Sequence, residues 1–132
     1  NLHGVQNKLD SFESDTYAQL SSSNYHVIFY NTPFCYTDNQ LQILEMSVAD
    51  KGYQSVREYI LHADRYLAPD GILFLGISYA LSNFQLIANY LTQAGFTWAE
   101  VANTNQLGIT SGPVYFSLIE CSRISKDNPR KL

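Results

Sequence analysis

Two patterns of apolar and polar positions divide the chain. Tyr25 to Tyr30 is a charge-free run rich in β-branched and aromatic residues, closed by Asn31-Thr32-Pro33, and it predicts a buried strand ending in a turn. From Tyr53 onward, Val56, Tyr59, Ile60, Ala63 and Leu67 recur at helical spacing with Arg57, Glu58, Asp64 and Arg65 between them, which predicts an amphipathic helix of about four turns. Ala68-Pro69-Asp70-Gly71 stops it, and Ile72 to Ile77 reads as a second buried strand. Ser82 or Asn83 then caps a second helix with an inner face of Leu86, Ile87, Tyr90, Leu91 and Ala94, and Gly95 is placed as its stop. Phe96 to Ala102 and Val114 to Cys121 predict an antiparallel pair across a Gly/Asn/Thr/Ser-rich loop. Lys8 to Glu13 is a weaker strand candidate and Thr16 to Leu20 a single helical turn.

Strand, helix, strand, helix and two further strands make an α/β pattern, and a right-handed crossover puts the first two strands parallel. Ligands in such sheets collect beyond the carboxyl ends of the strands. That rule directs attention to Asp15, to the stretch from Asn31 to Tyr36, and to Ser78 through Ser82.

Composition narrows the class. At 132 residues, 45% hydrophobic and 15% charged, the chain has apolar material for one core and little length for a second domain. It holds no apolar run of the roughly 18–20 residues a membrane span needs, and Asn1 to Asp10 lacks the basic and apolar regions of a signal peptide, so no membrane partner is expected. Cys35 and Cys121 show no metal-binding spacing, and two thiols without a disulfide framework point to a reducing, cytoplasmic setting. The tail from 122 to 132 carries Arg123, Lys126, Arg130 and Lys131 against Asp127; since the whole chain is −4, residues 1–121 carry −7. The tail reads as a solvated, frayed end, and an acidic body repels a phosphate backbone.

The residues with chemistry follow the first strand. Asn31-Thr32-Pro33-Phe34 resembles the Asn-Pro-Pro-(Phe/Tyr) motif of S-adenosylmethionine-dependent methyltransferases that act on planar nitrogens. Asn1-Leu2-His3-Gly4-Val5-Gln6-Asn7 resembles that family's approach to its third strand, Ser14-Asp15 the acidic end of that strand, Val56 to Gly71 the helix and turn before the fifth, and Gly95-Phe96 the opening of the sixth. The resemblance implies a partial Rossmann-like methyltransferase sheet with flanking helices and a C-terminal antiparallel strand pair, spanning 1–121. It further implies S-adenosylmethionine as cofactor, with Asp15 contacting the adenine amino group.

The physical case for the motif stands beside the resemblance. In an amide or aryl amine the nitrogen lone pair is delocalised, so the NH2 must be held and polarised. The Asn31 side-chain carbonyl and the Thr32 backbone carbonyl can each accept one N–H, Pro33 stiffens the turn, and Phe34 can stack on a flat substrate. Asn31 thus stands in both the catalytic and the cofactor-adjacent set. The plain alternatives are an Asx turn with a packing aromatic at Asn31, and a helix cap at Asp15.

Two departures qualify the family reading. Thr32 stands where proline is usual, which keeps the backbone carbonyl but predicts a less rigid loop. The seven glycines (4, 52, 71, 76, 95, 108 and 112) never fall two apart, so no Gly-x-Gly loop is present. With Asn1 at the start and Met46 the single methionine, the chain reads as the truncated, C-terminal part of such a domain, unable to bind the cofactor normally by itself. The strand from Tyr25 to Tyr30 is then expected to expose an edge, covered either by the N-terminal segment or by another chain in a dimer.

Two function classes stay open: an N-methyltransferase acting on a protein glutamine amide, a small molecule or a nucleobase amine, and a non-catalytic, methyltransferase-like scaffold or protein-binding module. The acidic body favours protein or small-molecule substrates over RNA. Cys35 with His26 or His62 has no spacing that assembles a nucleophile and base, and Gly71 to Ser78 lacks the lysine of a phosphate-binding loop. Tyr30, Tyr36 and Tyr79 stand at strand ends, where they can line a site.

Overall fold

The structure is a computed structural model that describes residues 14, 16–20, 24–33, 35–37, 49–79, 81–105 and 116–124. The weak strand expected at Lys8 to Glu13 lies outside these residues. The described elements are β1 (Tyr25–Asn31), β2 (Cys35–Thr37), β3 (Ala49–Lys51), α1 (Gln54–His62), β4 (Leu67–Ile77), α2 (Phe84–Gln93), β5 (Phe96–Asn103) and β6 (Ser117–Arg123). They build an α/β fold with an open four-stranded sheet of order β1-β4-β6-β5; β2 and β3 form a separate parallel pair. This is a partial Rossmann-like sheet, with β1 parallel to β4 and a C-terminal antiparallel pair, β5 and β6, as the element order predicted.

Register explains which residues are buried. Leu73 lies opposite Cys121, Leu75 opposite Ile119 and Ile77 opposite Ser117, and this face packs with Val56 and Ile60 of α1 and Ile87 and Leu91 of α2. Burying each large aliphatic side chain stabilises the fold by about 1.5–3 kcal/mol relative to exposure. On the opposite face, Val27 and Phe29 of β1 are 56% and 60% exposed, beside the half-buried Ile72 and Phe74. Asn31 and Gly76 continue that outward row.

Three boundaries differ from the expected ones. α1 ends at His62, and Ala63–Arg65 tightens into a 3-10 turn before β4 begins at Leu67. Ala63 and Leu67 are buried as the helical pattern required, yet neither belongs to α1. Pro69-Asp70-Gly71, expected as a turn before the strand, forms an irregularity inside β4: Tyr25 pairs with Leu67 and Val27 with Ile72. A Cβ at Gly71 would stand 2.8 Å from the Tyr25 carbonyl oxygen and 3.0 Å from that of Ala68, so the bulge closes only on glycine.

β6 runs past the expected strand end at Cys121 to Arg123. Ser122 pairs with Ile72 and Thr97, and Arg123 is tied to Asp64 at 2.7 Å and donates to the Ala68 carbonyl, so the first of the tail's cations belongs to the sheet. Thr16 to Gln19 forms a turn rather than a helix: Thr16 has φ 51, and the Ser14 hydroxyl accepts the Gln19 N–H at 3.0 Å. Asn83 caps α2 by accepting the Leu86 N–H at 3.2 Å, and Gly95 follows it at φ 82. No helix among the described residues is long and apolar enough to cross a membrane.

Replacing Gly71 by alanine is predicted to destabilise the fold by about 1–3 kcal/mol, the usual cost of overpacking a tight site. Chemical denaturation measures the loss; an unchanged midpoint would contradict the bulge geometry.

Candidate functional site

β1 and β4 run side by side and end together, with Asn31 opposite Gly76. A Cβ built on Gly76 would lie 2.8 Å from Asn31 Oδ1, so the Asn31 carboxamide occupies the space over a bare α-carbon, a close approach that only glycine permits. One residue on, the Thr32 N–H and the Thr32 hydroxyl both donate to the Gly76 carbonyl, at 3.0 and 2.8 Å. A proline at this position would supply neither bond. Hydrogen bonding here ties Thr32 to β4 where the ring of a proline could not. Thr32 is 2% exposed, Asn31 is exposed, and Pro33 is half-buried.

Asn31, Thr32 and Pro33 thus sit together at the carboxyl end of the parallel pair. Phe34 and Asp15, expected to stack on a substrate and to contact adenine, lie outside the described residues. Beyond Ile77 the chain turns sharply: the Ser78 carbonyl accepts the N–H groups of Leu81 and Ser82 at 3.1 and 2.7 Å, and the Ser78 N–H donates to Ser82 Oγ at 3.3 Å. Ser78 Oγ is buried with no partner among the described residues, as is Ser117 Oγ on the strand opposite Ile77. Buried polar atoms without partners are uncommon, and here they gather at the end of the sheet where a ligand would sit.

Asp50 is a buried carboxylate that sequence reasoning missed. It accepts the Val56 N–H at 3.1 Å, with Ser55 Oγ at 3.5 Å, and so satisfies the start of α1 in place of Tyr53, which occupies the cap position in a left-handed conformation. Burial raises its pKa above the usual carboxylate range, opposed by the N–H groups of Val56, Ser55 and Gln54. The signal was present as an acidic residue ahead of Gly52 and Ser55, but its strand, β3, is too short to show periodicity.

Tyr30 packs toward α1. Its ring stacks on Tyr59 of α1 at 3.8 Å, and its pKa is raised by burial first and by Asp50 second. Tyr17 stacks on Tyr66 at 4.5 Å and donates its hydroxyl to the Tyr59 carbonyl, which extends the same aromatic cluster. Tyr79 meets Phe84 edge-on at 5.0 Å. Cys121 is buried and its thiol is pushed up to about 12 by burial, with Glu120 adding to the shift, so it stays protonated and unreactive. His26 stands near the start of β1, 3.7 Å from Asp70, about 16 Å of strand from Asn31 at the usual rise per residue.

These residues do not fit a complete S-adenosylmethionine site. Asp50, which burial and α1 already occupy, offers no carboxylate to ribose hydroxyls, and no Gly-x-Gly loop allows close backbone approach. What they do form is an acceptor-rich corner built from Asn31, Thr32 and Gly76.

No protein-family model matches the chain, and no curated protein matches it. Among solved structures it is similar to ribosomal protein L11 methylase from Lactobacillus delbrueckii subsp. bulgaricus, with a TM-score of 0.46 and 14% identity over 80% of this chain and 40% of that one. It is also similar to a TehB-like SAM-dependent methyltransferase from Corynebacterium glutamicum, with a TM-score of 0.47 and 9% identity over 84% of this chain and 54% of that one. The chain spans about half the length of these solved proteins or less.

Thr32→Val keeps the side-chain shape and removes the hydroxyl donor; it is predicted to cost about 1 kcal/mol, while Thr32→Ser is predicted to cost less. Equal stability of Thr32→Val and the parent on denaturation would contradict the hydroxyl's role. Asp50 supplies a pH test. Its folded pKa lies above the unfolded one, so between the two the native state binds more protons, and stability falls as pH rises through that window, from about 4 upward. Thermal melts of the parent and Asp50→Asn across this range should show the variant gaining relative stability as pH rises. A constant difference would contradict the assignment.

Proposed function

We propose that this chain is the acceptor-holding part of an S-adenosylmethionine-dependent methyltransferase that acts on a planar nitrogen, such as a protein glutamine amide or a nucleobase amine. The observation that carries the reading is the placement of Asn31. Its carboxamide oxygen lies against the bare α-carbon of Gly76, at the carboxyl end of a parallel strand pair, with the Thr32 backbone fixed beside it by two hydrogen bonds. A side-chain carbonyl and an adjacent backbone carbonyl are a matched pair of acceptors for the two N–H groups of an NH2.

Two acceptors suit the chemistry. They fix the nitrogen's orientation and stabilise the positive charge that grows on it as it is alkylated. No strongly basic side chain is required, because the N–H becomes acidic once the nitrogen carries that charge. The chain's own contribution is to orient the acceptor nitrogen; the cofactor-binding residues of such an enzyme are not assigned within the described residues.

The acidic body, net −7 over residues 1–121, favours a protein or small-molecule acceptor over RNA. The test is methyl transfer by the full-length protein from S-adenosylmethionine to a panel of primary amides and aryl amines, compared with Asn31→Ala. Loss of one preorganised electrostatic partner predicts a fall in kcat of about 100-fold or more. Retained turnover in Asn31→Ala would remove Asn31 from the reaction, and absence of transfer to every acceptor would favour the scaffold role.

A further inference from the structure

The β1–β4 ladder stops one bond early. In a parallel pair, a residue whose N–H reaches the carbonyl of position j−1 ordinarily accepts from the N–H of position j+1 with its own carbonyl. The Thr32 N–H reaches the Gly76 carbonyl, so the expected donor to the Thr32 carbonyl is the Ser78 N–H. That N–H instead goes to Ser82 Oγ at 3.3 Å. Ser82 is held in place for this by its own N–H, which donates to the Ser78 carbonyl at 2.7 Å. Among the described residues no donor reaches the Thr32 carbonyl, although Thr32 is 2% exposed. A buried carbonyl without a donor is uncommon and costly to leave so.

We infer that Ser82 is a positioning residue: its hydroxyl takes the Ser78 N–H away from the Thr32 carbonyl and so keeps that carbonyl available to a planar N–H donor. The inference rests on the proposed acceptor role of the Asn31–Thr32 corner and gives Ser82, which the sequence offers only as a helix cap beyond the end of a strand, a separate role. Ser82 acts through Ser78 and need touch no substrate. A carbonyl kept from its ladder partner in a desolvated setting is a stronger acceptor than one in water, because competing solvent is excluded. Without the Ser82 hydroxyl, the Ser78 N–H has the Thr32 carbonyl, which no donor among the described residues reaches, one rung away and closes onto it.

Isotope-labelled full chain tests this by NMR, with benzamide as the planar N–H donor. The parent should show no scalar coupling across a hydrogen bond from the Ser78 nitrogen to the Thr32 carbonyl carbon, and benzamide should shift the Thr32 carbonyl resonance downfield. In Ser82→Ala the coupling should appear and benzamide should bind about fivefold more weakly, the size expected for one neutral hydrogen bond. Ser82→Thr, which keeps the acceptor hydroxyl, should restore the parental behaviour. A coupling already present in the parent, a Thr32 resonance indifferent to benzamide, or equal binding by Ser82→Ala would each overturn the inference. If the full-length protein transfers no methyl group while the Thr32 response follows the expected pattern, the proposed enzymatic function fails and the positioning role of Ser82 stands.

Discussion

The carboxyl end of the sheet depends on one carbonyl. Gly76 accepts both the N–H and the hydroxyl of Thr32, at 3.0 and 2.8 Å, and through them it governs where β1 stops and how the following loop leaves the sheet. The same residue offers the Asn31 carboxamide oxygen the only kind of surface it can approach so closely, a backbone with no side chain. Glycine inside a strand ordinarily weakens it through backbone entropy and lost packing. Here that weakness is offset by two hydrogen bonds and a polar side chain seated on the strand.

The core makes this local arrangement possible. Leu73, Leu75 and Ile77 direct β4 into a packed layer with Ile119, Cys121, Ile60, Ile87 and Leu91, which leaves the intervening residues Ile72, Phe74 and Gly76 on the opposite face. Because strand faces alternate, burying one set fixes the orientation of the other. Asn31 is thereby held on the outward row by the packing of residues it never touches. The same alternation leaves Val27 and Phe29 exposed on that row, so the face carrying Asn31 is apolar along β1 up to its end.

Much of this was legible in the chain. The charge-free run of β1 marks its strand but not its burial, since Val27 and Phe29 are exposed at the side of the sheet; the α2 face with its Asn83 cap and Gly95 stop, and the β5–β6 pair, have local signatures that their surroundings do not overrule. The apolar spacing overextends α1 because Ala63 and Leu67 are buried at helical spacing while belonging to a 3-10 turn and a strand; burial periodicity records which side faces the core, not which hydrogen bonds form. β2 and β3 have three residues each, too few to show a period. Asn31 and Thr32 stood out by their order after an apolar strand. Gly76 did not, since its partner lies 44 positions away and its role appears only when register places the two together. Asp50 was hidden because it acts on the Val56 N–H, six residues on, from a strand too short to show a period, and Ser82 stood out only as a helix cap, not as the acceptor of the Ser78 N–H.

A high-resolution structure of Gly76→Ala tests the seat of the Asn31 carboxamide directly. The alanine methyl should displace that carboxamide from its place over position 76 while the β1–β4 register through Phe29 and Phe74 is retained. An Asn31 carboxamide left in its original position above an alanine methyl, with the Thr32 bonds intact, would contradict that expectation.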